Sequence, residues 1–384
     1  MQQDMFLYKN RKAICKALSK WCSKGHYDIR NILETNSVYN CIIGEKSNGK
    51  STAVQMLMII IYQLFKKESI MLRVYDEDFK QGRAGGMFNG VPKDFIKEIT
   101  KGKYNEIVYK SNKWYLSFYN DKDDKHYPSN SPFCHRVHIL NAGSSFQFPE
   151  IKLILFDEFI RNENYPNEFE DFQTVLSTLI RLQTDVQIFM CGNTINSHSI
   201  YFTEFGIKNV TKIPQGQITL YQYGVSSQLA LEYCGNAKKI KVNNDIYFPF
   251  KNSASQMITK GAWQLSMFPH LPCRYAPKDI LLSYFIIFEE NIYQCDIVNV
   301  YDEDIKDNME FTFIHRKTTP IKNETTDIVY SVEEKGLINW SKNLLKPTLE
   351  IHNAILKYWK ANKIFFQDNL VGDSISAYIR LCRG

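Results

Sequence analysis

The run CIIGEKSNGKST, Cys41 to Thr52, constrains this chain more than any other stretch. An apolar strand end enters a glycine-bearing loop, and the loop enters Lys-Ser-Thr and an apolar helix. Gly44 to Ser51 satisfies GxxxxGK[ST] in full. Gly44 and Gly49 let the backbone curl so that several N–H groups face one anion. A helix beginning near Ser51 adds the positive end of its dipole. Lys50 supplies a point charge for the β- and γ-phosphates, and the Ser51 hydroxyl is a ligand for Mg²⁺. Lys46 and Thr52 fall in the same cradle. A chance glycine turn is the alternative, and the apolar elements on both sides argue against it.

The surrounding pattern reads as a parallel α/β unit. A strand over Val38–Ile43, a helix over Ser51–Phe65 and a strand over Ser69–Tyr75 make a β-loop-α-β opening. Ile151–Phe156, IKLILF, is apolar apart from Lys152, as a central parallel strand is. It ends in Asp157-Glu158. Ligands of such sheets bind at the carboxyl ends of the strands. Asp157 is therefore expected to hold Mg²⁺ through water, and Glu158 to polarise an attacking water as general base. A helix over Phe172–Leu182 leads to a strand over Val186–Asn193. Asn193 is placed to hydrogen-bond the γ-phosphate or the lytic water, with a plain Gly-Asn turn as the competing reading. Arg181, at the end of that helix, is either a surface arginine or a finger supplied to a neighbour's phosphate, an effect of roughly 10³–10⁵ in rate.

The remaining pattern sets the domains. The chain has 384 residues and 44% hydrophobic side chains, enough for two or three cores. Residues 1–35 read as basic and helical. Residues 76–135 read as polar and irregular, with a hairpin around Ser111-Asn112-Lys113 and a glycine-rich loop, Gly82–Gly86, beside Lys80 and Arg83. Strand–helix alternation stops after Asn193. The expected division is an ATPase-type domain over 1–225, a linker module over 226–262 and an α+β domain over 263–384. In that last domain ILLSYFIIFEENIYQCDIV reads as two strands turning at Glu289–Asn291, with helices at 347–362 and 370–381. A two-metal nuclease needs carboxylates within its first strand. ILLSYFIIF has none, and Asp296 and Asp302–Asp304 read as solvated.

Charge and cysteines narrow the class. The net charge of +6 permits a polyanion partner without requiring one. Nine scattered cysteines without a CxxC pair argue against zinc and against a disulfide framework, and for a reducing compartment. The first residues lack a signal-peptide core, and the longest apolar run, Met56–Phe65, is too short to span a bilayer. A soluble, intracellular protein with no membrane partner is expected.

Several of these residues together resemble one family. FDEFIR with the acidic Asn/Pro-rich loop after it, the helix ending in Arg181 and the strand ending in Asn193 are similar to the φ29-type phage DNA-packaging ATPases. Ile151–Phe202 carries most of the likeness, and the glycine loop and LRVY extend it back to about residue 38. The resemblance implies an ASCE-type P-loop ATPase with a parallel central sheet, a short linker and an RNase H-like, vestigial nuclease domain. It implies a ring, a homopentamer, that uses ATP and Mg²⁺ to pump double-stranded DNA through the portal into a prohead. It places the protein in the host bacterial cytoplasm and transiently at the portal vertex, where some members dock on a structural packaging RNA. Lys50, Ser51, Asp157 and Glu158 fall on the family's nucleotide-site residues and Arg181 on its trans-acting finger. Arg73 falls on an arginine near the nucleotide or subunit interface. The family's DNA-tracking lysine is replaced here by Asp76, so Lys80 and Arg83 are the candidates for gripping DNA. The rival readings are a P-loop helicase or recombination ATPase, which would unwind forks, and a nucleotide-dependent scaffold, which would not need Glu158.

Overall fold

Strand β1 (Tyr39–Gly44) ends in the glycine loop, and helix α4 (Lys50–Phe65) leaves it. In the computed structural model the described residues are 4–22, 27–141, 148, 150–162, 164–165, 167–234, 263, 266–302, 306–317, 319–321, 326–346 and 350–383. The chain forms two units, 1–264 and 265–384.

The first unit is a ten-stranded sheet with helices on both faces. After β1 come β2 (Glu68–Arg73), β3 (Glu106–Lys110), β4 (Lys113–Asn120), β5 (Lys125–Pro128), β6 (Cys134–His138), β7 (Ile151–Asp157), β8 (Gln187–Asn193), β9 (Gln217–Tyr223) and β10 (Ser227–Tyr233). The parallel centre runs β6-β2-β7-β8-β1-β10. Helices α1 (Phe6–Lys9), α2 (Arg11–Cys22) and α3 (Arg30–Leu33) precede the sheet, and α5 (Gln81–Gly86), α6 (Lys93–Ile99), α7 (Glu168–Ile180) and α8 (Ile200–Glu204) connect its strands.

Alternation along the central strands feeds the two faces, because successive side chains point to opposite sides. Leu153 and Leu155 pack into the layer that holds α4, while Ile154 and Phe156 pack with Phe172 of α7 and Tyr201 of α8. Helix α4 is buried continuously from Ala53 to Ile61, since it lies between the sheet and helices α2 and α6. An all-round apolar helix is the sequence counterpart of that position.

The expected strand and helix flanking the glycine loop lie within a residue of β1 and α4. Three readings of this unit need correction. Alternation does not end at Asn193: the hairpin β9–β10 returns the chain, and β10 lies parallel to β1 inside the sheet. The linker expected from residue 226 therefore does not begin there, and its remainder from residue 235 to 262 lies outside the described residues. Gly82–Gly86 is not a loop but part of α5, closed by the Ala84 N–H donating to the Lys80 carbonyl, 3.0 Å.

The second unit is a six-stranded sheet, β15-β14-β11-β12-β13-β16. Its strands are β11 (Ile280–Phe288), β12 (Asn291–Asp302), β13 (Asp307–Lys317), β14 (Val329–Ser331), β15 (Trp340–Ser341) and β16 (Ile364–Phe366), with helices α9 (Glu350–Lys360) and α10 (Asn369–Arg383). Strands β11, β12 and β13 are antiparallel neighbours; β14 is parallel to β11 and β16 to β13. The turn between β11 and β12 is Glu289-Glu290, with φ of 47° and 66°. Two left-handed residues make a turn whose twist matches the flanking strands.

Asp296 is not solvated. It is 2% exposed on β12. Its carboxylate accepts from Ser283 Oγ (2.6 Å), Gln294 Nε2 (2.9 Å) and Tyr275 O–H (2.9 Å), with His315 Nε2 at 3.3 Å. Burial alone would raise its pKa, but these partners hold it down at about 2. The side chain of Asp302, and the whole of Glu303 and Asp304, lie outside the described residues. Among the described residues no helix is long and apolar enough to cross a membrane.

Candidate nucleotide site

The carboxyl ends of β2, β7, β8 and β1 are consecutive in the sheet, so whatever each strand carries at its end shares one rim. β1 carries the glycine loop, β2 Arg73, β7 Asp157 and β8 Asn193. The loop turns through Ser47 at φ 63° and Gly49 at φ 89° before α4 begins at Lys50. The left-handed φ at Gly49 is strained for any residue with a Cβ. A cavity of about 220 Å³ sits over the loop, lined by Lys46, Gly49, Lys50, Ser51 and Thr52, with Asp157, Glu158 and Asn193 opposite.

Lys50 is buried, and its ammonium folds back over the loop. It donates to the carbonyls of Glu45 (2.6 Å) and Gly44 (3.3 Å) and to the side-chain oxygens of Asn48 (3.2 Å) and Asn193 (3.3 Å). Burial lowers its pKa. An anion in the cavity would restore the charge balance that burial removes.

Ser51 Oγ donates to Asp157 Oδ1 at 2.5 Å. Asp157 is buried at the last position of β7. Glu158 leaves the strand at φ 58°, a left-handed bend, and its side chain is largely exposed. Arg73 reaches both acids: Nη2 donates to Asp157 Oδ2 at 2.7 Å, and Nη1 pairs with Glu158. Gly192, on β8, lets the segment after the acid pair pack closely against that strand. A Cβ there would stand 2.8 Å from Ile160, which follows the acid pair.

The structure thus brings together Gly44, Lys46, Gly49, Lys50, Ser51, Thr52, Arg73, Asp157, Glu158 and Asn193. A model of the podovirus DNA encapsidation protein (Gp16) family matches residues 23–223, more than half of the chain and all of this rim. The chain belongs to the podovirus DNA encapsidation protein (Gp16) family. DNA packaging proteins of Bacillus phage phi29 and Bacillus phage PZA are each 25% identical to it over 185 residues, 47% of this chain and 50% of theirs. The match therefore spans half the length of these relatives. The bacteriophage Phi-29 viral genome packaging motor assembly contains a chain of the same fold, with TM-score 0.53 and 16% identity, covering 93% of this chain and 99% of that one.

In this Gp16 family member the remaining candidates stand away from the cavity lining. Arg181 is the exposed residue that ends α7; its Nε donates to the Thr178 carbonyl at 3.2 Å, and its backbone turns out at φ 47°. Lys80 and Arg83 are exposed at the start of α5. Asp76 is tied to Arg136 at 2.8 Å.

Two features escape sequence reasoning. The resemblance places Arg73 near the site, but its bridge to both acids is a contact between two strand ends far apart in the chain. Arg161, in FDEFIR, pairs with the fully buried Glu168, which also accepts from Tyr201 O–H (3.0 Å) and Asn164 Nδ2 (3.0 Å). That knot fixes the start of α7, and so the helix that Arg181 ends. The acidic loop between FDEFIR and the helix is the available signal.

Proposed function

We propose that this protein is a P-loop ATPase that works in a homo-oligomeric ring to drive double-stranded DNA into a phage prohead. The observation that carries the reading is the rim on which Lys50, Ser51, Asp157, Glu158 and Asn193 converge, in a chain of the Gp16 family. The related Bacillus phage proteins are DNA packaging proteins, which supports duplex DNA and a prohead portal as partners.

The cradle takes the triphosphate. Loop N–H groups and the start of α4 face the phosphates, and the Lys50 ammonium turns from its loop carbonyls to the β- and γ-oxygens. Ser51 Oγ and the Asp157 carboxylate are hard oxygen donors 2.5 Å apart and suit Mg²⁺. Bound there, Mg²⁺ would neutralise charge on the phosphate oxygens. Glu158 orients and deprotonates the attacking water, for which it must leave Arg73. Arg73 then keeps its bond to Asp157. Asn193 holds the γ-phosphate or the water. Arg181, exposed at the end of α7, completes the site of the adjacent subunit.

DNA contacts fall to exposed cations, Lys80 and Arg83 among them, and go to phosphates, so binding is independent of sequence and weakens with salt. Action takes place in the bacterial host at the portal vertex. The second unit is an RNase H-like framework without nuclease activity, a reading supported by Asp296, whose carboxylate is taken up by neighbouring side chains.

Glu158→Gln tests the chemistry. Hydrolysis should fall about 10²–10⁴-fold while ATP binding survives. Unchanged turnover would remove Glu158 as the base.

A further inference from the structure

Tyr27, ahead of α3, holds the glycine loop from outside the cavity. Its backbone N–H donates to the Asn48 carbonyl at 3.0 Å, and its O–H donates to Glu232 Oε2 at 2.5 Å. Both residues are buried. Glu232 lies on β10 opposite Ile42 of β1, the strand that carries the loop. Two residues on, the Cys234 N–H donates to the Ile43 carbonyl at 2.8 Å, so this part of the chain also fixes where the loop begins.

The bond to Asn48 decides which way one peptide faces. A trans peptide is planar, so its C=O and N–H point in opposite directions. With the Asn48 carbonyl turned to Tyr27, the Gly49 N–H is turned away from Tyr27, and Gly49 lines the cavity. This peptide is also free to rotate, because glycine takes either sign of φ at little cost. Turned over, it would offer a carbonyl oxygen to a phosphate in place of a donor. Asn48 reaches Lys50 as well: its Oδ1 accepts from the Lys50 backbone N–H and ammonium, both at 3.2 Å.

We infer that Tyr27, anchored by Glu232, is a positioning residue for the nucleotide's phosphates: it pins the Asn48–Gly49 peptide so that the Gly49 N–H faces the cradle. The inference rests on the phosphate reading of the glycine loop. A loop with this peptide turned over does not bind, so apparent affinity falls with the fraction of loops correctly set. A purely structural role would lower the amount of folded protein and leave the affinity of the folded part alone.

Calorimetric titration of the full chain with tripolyphosphate and with Mg²⁺-ATP reads affinity and stoichiometry separately. Tyr27→Phe keeps the ring and loses the hydroxyl. It should bind both ligands about tenfold more weakly at unchanged stoichiometry, as when about one loop in ten is set. Glu232→Leu should lose as much, and the double variant no more than either, because all three remove the same bond. Glu232→Gln keeps an acceptor for the hydroxyl and should stay within about threefold of wild type. Wild-type affinity in Tyr27→Phe, a loss confined to stoichiometry, or equal losses in Glu232→Gln and Glu232→Leu would overturn the pin while leaving the cradle standing. Undiminished tripolyphosphate affinity in Lys50→Ala would overturn the cradle, and the pin with it.

Discussion

Removing Arg73 should expose how the acid pair is held when no nucleotide is bound. The Arg73 and Asp157 side chains are 12% and 9% exposed, whereas Glu158 is 61% exposed. Breaking a buried ion pair by deleting one partner costs about 3–5 kcal/mol, because the other charge stays buried. Ser51 Oγ would remain on Asp157, and the cavity admits water, so Arg73→Ala should lie near the low end, ~3 kcal/mol. Loss of the Glu158 contact adds at most ~1 kcal/mol, as for other exposed pairs. For a unit of this size the sum, about 3–4 kcal/mol, corresponds to a fall in Tm of about 6–16 °C. Differential scanning calorimetry of the full chain measures it. Mg²⁺ with a non-hydrolysable ATP analogue should then raise the Tm of Arg73→Ala more than that of wild type, since the metal replaces the lost positive charge on Asp157. A fall below about 2 °C, or an equal gain from the nucleotide in both proteins, would refute the reasoning.

Two pH effects of opposite sign should be separable by denaturant titration. Burial raises the Glu232 carboxyl to about 7 from an ordinary 4.5, so the folded state keeps a proton that the unfolded state releases. Stability should therefore fall by about 3 kcal/mol as pH rises through that interval, and Glu232→Gln should flatten the slope. Asp296 runs the other way: its carboxyl, held at about 2 against an ordinary 3.8, contributes stability above pH ~4 that is lost as pH falls toward 2. Asp296→Ala leaves the Ser283, Gln294 and Tyr275 donors without their acceptor and should cost at least ~3 kcal/mol in urea unfolding at neutral pH.

The glycine loop, α4 and the acid pair are legible because each is local. Strand, loop and helix follow one another in the chain, and burial on both faces makes IKLILF apolar. The type of β9 and β10 is not legible, because β10 reads as a short mixed segment after a polar stretch and gains its place only by lying beside β1. Gly82–Gly86 carries no helical pattern of its own; Trp114 Nε1 donates to the Ala84 carbonyl at 2.9 Å and holds the turn from another element. Asp296 misleads for the same reason. On a strand an acid reads as facing water, and only the pairing with β11 and β13 brings Ser283 and His315 to it. In the candidate site the chain order announces Lys50, Ser51, Asp157 and Glu158, while the Arg73 bridge is a product of strand order.

The most direct test of a motor with sites shared between subunits is ATP hydrolysis, with duplex DNA present, by Lys50→Ala, by Arg181→Ala and by their mixture. Each variant alone should be inactive. In the mixture, the intact loop of an Arg181→Ala subunit meets the intact arginine of a Lys50→Ala neighbour, so hydrolysis should return and should rise with protein concentration. Wild-type turnover by Arg181→Ala alone, or a mixture no more active than its parts, would contradict the shared site.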